Sequence, residues 1–207
     1  MNSEIKSRNR TARAAGILYV LLVICGLVYL VYVPGQLIVW DDAATTLSNI
    51  RNSPSLFKLG IFIALCSFLI FTLLPLVLYR LLSKVHRNAA ILMVLFSIIS
   101  VPISFVNILN KFTVLDLIEK SNASNVTTLG LQNEVMLCFE NYSNGLEVLQ
   151  IFWGLWLLPF GYLVYKSGFL PKVLGVFLMA GCFGYLITFV GGFLIQDFSK
   201  TTLSSMY

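Results

Sequence analysis

The chain has 207 residues, of which 58% are hydrophobic and 11% are charged. A soluble domain carries about 25% charged residues, so this composition excludes an ordinary soluble protein and indicates a lipid environment. The net charge of +5 does not indicate nucleic-acid binding, because the basic residues form no face interleaved with aromatic residues. We therefore predict an all-α polytopic transmembrane helical bundle, a single domain over residues 1–207, with the lipid bilayer as its surroundings and no nucleic-acid partner.

Five apolar segments have about the 20 residues that a helix needs to cross a bilayer. They lie at about 14–33, 57–82, 89–110, 146–165 and 173–195. The first follows a basic N-terminus, as the apolar part of a signal peptide does. Its length and the lack of an Ala-x-Ala pattern after it favour a retained helix.

The basic residues predict the orientation. They concentrate in the N-terminal tail and in the second and fourth loops, as Lys6, Arg8, Arg10, Arg13, Arg80, Lys84, Arg87, Lys166 and Lys172. The other two loops are more acidic. Because cytoplasmic segments carry an excess of lysine and arginine, we predict a multi-pass protein of the cell membrane with a cytoplasmic N-terminus.

The two remaining loops are therefore predicted to face outward. In the first, at 34–56, Asp41 and Asp42 precede a segment that favours a short helix along the outer surface. The other, at 111–145, is longer and polar in its middle. From about Leu129 onward it can extend the fourth helix beyond the membrane.

A polar stripe runs along the third span. Ser97, Ser100, Ser104 and Asn107 are spaced i, i+3, i+7 and i+10, and Lys111 follows at i+14, so all five share one helical face. Such a stripe favours helix packing through small hydrogen-bonding residues. The alternative is the wall of a water-filled cavity that opens outward.

The fourth helix carries a second polar row. Glu140, Asn144 and Glu147 are spaced i, i+4 and i+7, and Gln150 lies one turn further in. We expect Glu147 to face the bundle interior and to meet a polar partner of the third helix, or else to lie solvated among headgroups. The two rows together form one candidate polar cluster: Ser100, Ser104, Asn107, Asn110, Lys111, Glu140, Asn144, Glu147 and Gln150.

The fifth span has small residues at four-residue steps, namely Ala180, Gly184, Thr188 and Gly192. This spacing favours close helix packing within the bundle, or with a protein partner or a second copy of the chain. We identify no catalytic set, no cofactor site and no metal site, since His86 is the only histidine and lies in a basic loop.

Four segments carry a family resemblance: RTARAAGILY (10–19), LYRLL (78–82), ENY (140–142) and GYLVYKSGFLPKVLG (161–175). They resemble the bacterial integral membrane family called domain of unknown function 4386. The resemblance extends from about residue 9 to 195 and implies a bundle of about six helices with no assigned activity.

Two departures from the family pattern stand out. Where relatives often have Phe-Gly-Leu-His in the fourth helix, this chain has Trp153-Gly-Leu-Trp156. It also stops at Tyr207, where relatives continue into a further helix, which favours truncation or a divergent short form over a five-span protein with its C-terminus outside.

Three functions are compatible with these observations. The favoured one is non-enzymatic binding or an accessory role through an outward-facing polar region. The second is a small-solute or ion transporter or channel, although no mid-membrane charge and no inverted repeat support it. The third and weakest is an intramembrane enzyme that uses Glu147 or Glu140 as an acid or base.

Overall fold

The computed structural model describes residues 2–123 and 128–194, and within them every regular element is a helix, with no β-strand. The helices in chain order are α1 (Asn2–Leu27), α2 (Val33–Leu37), α3 (Ala43–Asn52), α4 (Pro54–Leu82), α5 (Arg87–Asn107), α6 (Leu109–Ala123), α7 (Thr128–Lys166) and α8 (Lys172–Leu194). One π-helical turn, Val28–Tyr32, joins α1 to α2.

Five helical segments are long and apolar enough to cross a membrane, which confirms the all-α class and the number of predicted spans. They are Arg8–Leu37, Pro54–Leu82, Arg87–Ser121, Thr128–Lys166 and Lys172–Gly191. The end of the fifth predicted span, Ile195, and the question of a further helix fall in residues 195–207, outside the described residues.

The membrane helices pack in a row rather than in chain order around a closed ring. α4 packs against α1 and α5, α5 also packs against α7, and α7 holds α8. α1 and α8 are the ends of this row, and their described residues do not pack closely against each other. A gap between these two helices therefore leads into the interior of the bundle.

The bundle has two chemically different ends. One end carries the start of α1 and the α4–α5 and α7–α8 connections, with Arg10, Arg80, Arg87, Lys166 and Lys172, and we call it the basic end. The opposite end carries α2, α3, α6 and the first half of α7. Each end has its own apolar core: Leu78, Met93 and Leu163 belong to the one at the basic end, and Ile50, Val114 and Phe139 to the other.

The opposite end is more ordered than the sequence predicted. The prediction of a loop over 111–145 was wrong for its described residues, which form α6 and the first half of α7, although the expected extension of the fourth helix from about Leu129 is confirmed. Leu131, Val135 and Phe139 recur at four-residue steps and are buried against α3 and α6. Burial of this apolar stripe favours a helix here, although the residues between its members are polar.

The short helix predicted in the first loop is confirmed as α3. Asp42 caps it, since its carboxylate accepts a hydrogen bond of 2.9 Å from the backbone N–H of Thr45. Hydrogen bonds from the Thr45 side chain and backbone lower the pKa of the Asp42 carboxyl below its ordinary value. Leu47 and Ile50 are buried beneath the helix, so α3 lies on the end of the bundle and closes it.

α7 and α8 meet backbone to backbone near the basic end. A Cβ atom built on Gly161 would lie 2.6 Å from the carbonyl oxygen of Gly175, and one built on Gly175 would lie 2.7 Å from the carbonyl oxygen of Gly161. The connection between the helices turns at Gly168, whose φ of 72° favours glycine. These glycines therefore set how closely α8 approaches α7.

Candidate functional site

The serine stripe of α5 is buried and hydrogen-bonded within its own helix. Ser97 Oγ donates to the carbonyl oxygen of Met93 at 2.9 Å, and Ser104 Oγ donates to that of Ser100 at 2.9 Å. Ser100 Oγ donates to the carbonyl oxygen of Ser97 at 2.7 Å. None of the three serines is more than 3% exposed. The stripe thus serves the packing of α5, and Ser104 also lines a cavity.

Asn107 links α5 to α7. Its side-chain Nδ2 donates to the backbone carbonyl oxygen of Tyr142 at 2.9 Å. Its own backbone carbonyl oxygen accepts from Asn110 Nδ2 at 3.0 Å. The amide group lies directly on Gly145, where a Cβ atom would overlap it. A glycine on α7 therefore makes room for the polar contact.

Lys111 is buried at the opposite end of the bundle. It is 3% exposed, and its Nζ lies 4.1 Å from the centre of the Tyr142 ring, a cation–π distance. The side chain lines a small cavity of about 40 Å³, which we call the lysine cavity.

The polar row of α7 lies apart from these groups. Glu140 and Asn144 are exposed, and Glu147 and Gln150 are half-buried. Glu147 follows the buried Tyr142 by five positions, which places it about 140° around the helix. The expected contact of Glu147 with Asn107, Asn110 or Lys111 is therefore not observed among the described residues.

The candidate cluster thus divides into two groups. Ser100, Ser104, Asn107, Asn110 and Lys111 follow the side of α5 and α6 that faces α7, whereas the two glutamates of the α7 row, Glu140 and Glu147, point elsewhere. Gln150 Oε1 is buried and has no hydrogen-bond partner in the described part of the chain. No three histidine, cysteine, aspartate or glutamate side chains converge there to hold a metal ion.

The small-residue stripe of α8 does not pack within the bundle at the positions that can be assessed. Ala180 and Gly184 are exposed, and Thr188 is half-buried with its hydroxyl bonded to the carbonyl oxygen of Gly184. The surroundings of Gly192 lie outside what the structure describes. The face that packs on α7 is instead the one that carries Gly175 and Cys182.

A larger cavity of about 210 Å³ lies between the two cores, and we call it the aromatic cavity. Every membrane helix contributes to its wall, and the residues with aromatic or hydroxyl groups are Tyr19, Tyr29, Ser67, Phe68, Phe71, Ser104, Trp153, Trp156 and Tyr185. Val23 and Tyr185 at its edge are exposed, so it is reached from the lipid-facing surface between α1 and α8.

Ring contacts hold this wall in place. Phe71 and Trp156 pack edge to face with centroids 5.1 Å apart, and Tyr29 packs in the same way against Phe68 at 6.0 Å. The hydroxyl-bearing residues Ser67 and Tyr29 also line the cavity. The cavity is therefore a preformed apolar space with a few polar groups, as is typical of ligand sites.

One pattern in the sequence, absent from the predictions above, corresponds to this cavity. Tyr19, Leu22, Gly26 and Tyr29 are spaced i, i+3, i+7 and i+10, so they form one face of α1 and the turn that continues it, and all four line the cavity. The last of them lies in the π-helical turn, a local irregularity that is frequent at functional sites. A glycine and two tyrosines on one face of a membrane helix are therefore the sequence pattern that indicates this cavity.

Comparison with known proteins establishes the family. A search of curated proteins and a search of solved structures each find no match. The family described as Domain of unknown function (DUF4386) matches residues 14–206, which is nearly the whole chain. The match includes the Gly161–Gly175 contact and every residue of both cavities. The chain belongs to the DUF4386 family.

Proposed function

We propose that this protein is a non-enzymatic binding protein that takes up the alkyl chain of a lipid-like molecule in the aromatic cavity. The observation that supports the proposal is the cavity itself, which is preformed, lined by all five membrane helices and reached from the lipid-facing surface. A ligand that enters by this route comes from the bilayer.

The size and lining of the cavity favour one flexible chain. Pockets for drug-sized molecules measure about 300–1,000 Å³, and this cavity is smaller, at about 210 Å³. Its walls are mainly aromatic and aliphatic, so burial of methylene groups would contribute about 0.8 kcal/mol for each. A single alkyl chain gains from this lining, whereas a polar solute does not.

Two alternatives receive less support. A transport path along α5 would need the serine stripe to line it, but Ser97 and Ser100 are completely buried and bonded to their own helix. An enzyme that uses Glu147 would need a second reactive group beside it, and the buried polar groups follow another face. Binding is therefore the function we favour.

The test uses the full chain in phosphatidylcholine nanodiscs and a brominated alkyl ester, methyl 9,10-dibromostearate. Bromine quenches tryptophan fluorescence at contact, and Trp153 and Trp156 line the cavity. We expect quenching that saturates at a low mole fraction of the ester. A linear dependence on mole fraction, as for random collisions in the bilayer, would contradict the proposal.

A matched pair of variants assigns the quenching to the cavity. Gly26→Leu places a side chain into the cavity, where a Cβ meets no atom within 4 Å, and should abolish the saturable component. Gly16→Leu makes the same change on the same helix, also in open space, and should leave it intact. Equal quenching in both variants would argue against binding in the cavity.

We also propose that the protein lies in the cell membrane with its basic end in the cytoplasm. The support is the concentration of lysine and arginine at that end, which is typical of cytoplasmic loops. An impermeant thiol reagent applied to intact cells should label a cysteine placed at Asn49 of α3 but not one placed at Lys84. Labelling in the reverse order would overturn this orientation.

A further inference from the structure

The buried ammonium group of Lys111 is not used by the function proposed so far. Lysine within a membrane protein is costly to bury and marks functional positions, with a partner expected nearby. The Tyr142 ring covers one side of the ammonium group. The side chain otherwise borders the lysine cavity, which supplies space where an anionic partner is expected.

The two cavities adjoin. Tyr29 and Leu30 line both of them, so the π-helical turn forms the boundary between the aromatic cavity and the lysine cavity. A molecule that extends past this turn would have its chain among aromatic rings and its end beside a cation. This is the arrangement that a long-chain anion requires.

The size of the lysine cavity limits the anionic group. About 40 Å³ is room for about three water molecules, at roughly 10–15 Å³ for each probe sphere. A carboxylate has three heavy atoms and fits this space, whereas the glycerophosphate head of a phospholipid does not. The single chain indicated by the aromatic cavity agrees with this choice.

We propose that the ligand is a long-chain fatty carboxylate whose head group pairs with Lys111 and whose alkyl chain lies in the aromatic cavity. The inference rests on the proposed function, since it names the ligand class of the same site. An ion pair between the ligand carboxylate and the Lys111 ammonium group gives each charge a partner in a region from which water is largely excluded. A charge-assisted hydrogen bond in such a place is stronger than one between neutral groups.

The experiment compares 9,10-dibromostearate with its methyl ester at about pH 8, where the acid is ionised. Both probes carry the same chain and differ in the charge of the head group. In the unmodified protein, the acid should bind at least about tenfold more tightly than the ester, as expected for a hydrogen bond to a charged group.

Two variants locate the head group. Lys111→Met keeps most of the side-chain volume and removes the charge, and it should abolish the preference for the acid while the ester still binds. Lys120→Met removes an exposed lysine from the same helix and should retain the preference. Saturable binding of the ester by Lys111→Met also shows that the variant is folded.

The outcomes separate this inference from the proposed function. Equal affinity for acid and ester in the unmodified protein, or an unchanged preference in Lys111→Met, would overturn the role of Lys111 and leave chain binding intact. A lack of saturable quenching by either probe would overturn both. Displacement of the acid by phosphatidylglycerol as effectively as by unlabelled stearate would identify a phospholipid instead, and would refute the fatty carboxylate.

Discussion

Replacement of Gly175 by alanine tests how α8 is held on α7. The added Cβ would lie 2.7 Å from both the carbonyl oxygen of Gly161 and the backbone nitrogen of Tyr165. Both are backbone atoms, so no side-chain rotation relieves the overlap. We expect α8 to move away from α7 by several tenths of an ångström along their line of contact, with loss of packing on either side.

The magnitude follows from a comparison with Gly184→Ala on the same helix. An added Cβ at Gly184 meets no atom within 4 Å, so this variant gains only the helix propensity of alanine, about 0.5–1 kcal/mol. Gly175→Ala gains the same propensity and loses about 1–3 kcal/mol through overpacking. The free energies of unfolding of the two variants should therefore differ by about 1–3 kcal/mol.

The assay is equilibrium unfolding in mixed micelles with increasing dodecyl sulfate, followed by circular dichroism and tryptophan fluorescence. Gly161→Ala should behave like Gly175→Ala, because its Cβ would lie 2.6 Å from the carbonyl oxygen of Gly175. If Gly175→Ala is as stable as Gly184→Ala, the close contact of the two backbones is not a feature of the folded protein and the reasoning fails.

Three further predictions concern other parts of the fold. Gly145→Ala should displace the Asn107 amide from the carbonyl oxygen of Tyr142 and cost about 1 kcal/mol or more in the same unfolding assay, and no loss would contradict that contact. Gly168→Ala should cost about 1–2 kcal/mol because φ is 72°, whereas a neutral effect would mean that the turn has another conformation. The lowered pKa of Asp42 means that its cap on α3 is complete above the ordinary carboxyl pKa and is lost as the pH falls through the lower folded-state pKa. The protection of α3 amides from hydrogen exchange, taken relative to the intrinsic exchange rate at each pH, should therefore fall at acidic pH in the unmodified protein and be low at every pH in Asp42→Ala.

Much of the fold could be predicted from the sequence because the membrane imposes simple requirements. A span needs about 20 apolar residues, and each of the five helices contains an apolar segment of this kind. The cap at Asp42 was visible for a similar reason, since an acidic residue before a helical segment satisfies free backbone N–H groups. Both features depend on residues that are close together in the chain, so the sequence alone is enough to predict them.

The division of the candidate polar cluster could not be predicted, because it depends on how helices turn toward one another. Asn107 and Glu147 are both polar residues on long helices. Their separation in the sequence does not determine how each helix is rotated about its axis toward the other. The structure turns α7 so that Tyr142 and Gly145 meet Asn107. Glu147 then follows the other side of the helix, and the expected pair does not form.

The aromatic cavity was missed for a different reason. Trp156 by itself is read as a core or interfacial residue, because most aromatic residues in membrane helices are. A cavity exists only where the walls fail to close, and among the described residues that follows from the lack of close packing between α1 and α8 at the ends of the row. The spacing of Gly26 between Tyr19 and Tyr29 on one face of the first span is the part of this arrangement that a sequence can show.

The position of α8 connects the stability of the fold to the proposed binding. Tyr185 belongs to the wall of the aromatic cavity and lies ten residues, about 15 Å, along α8 from Gly175. If the Gly161–Gly175 contact holds α8 on α7, then Gly175→Ala should lower the fraction of molecules in which that wall is in place. The apparent dissociation constant rises as this fraction falls.

We therefore expect Gly175→Ala to bind methyl 9,10-dibromostearate more weakly than the unmodified protein, although the substituted residue touches no residue of the cavity. Gly184→Ala should bind the ester normally. Normal binding by a Gly175→Ala variant that is clearly less stable would show that the cavity does not need α8 docked at the basic end.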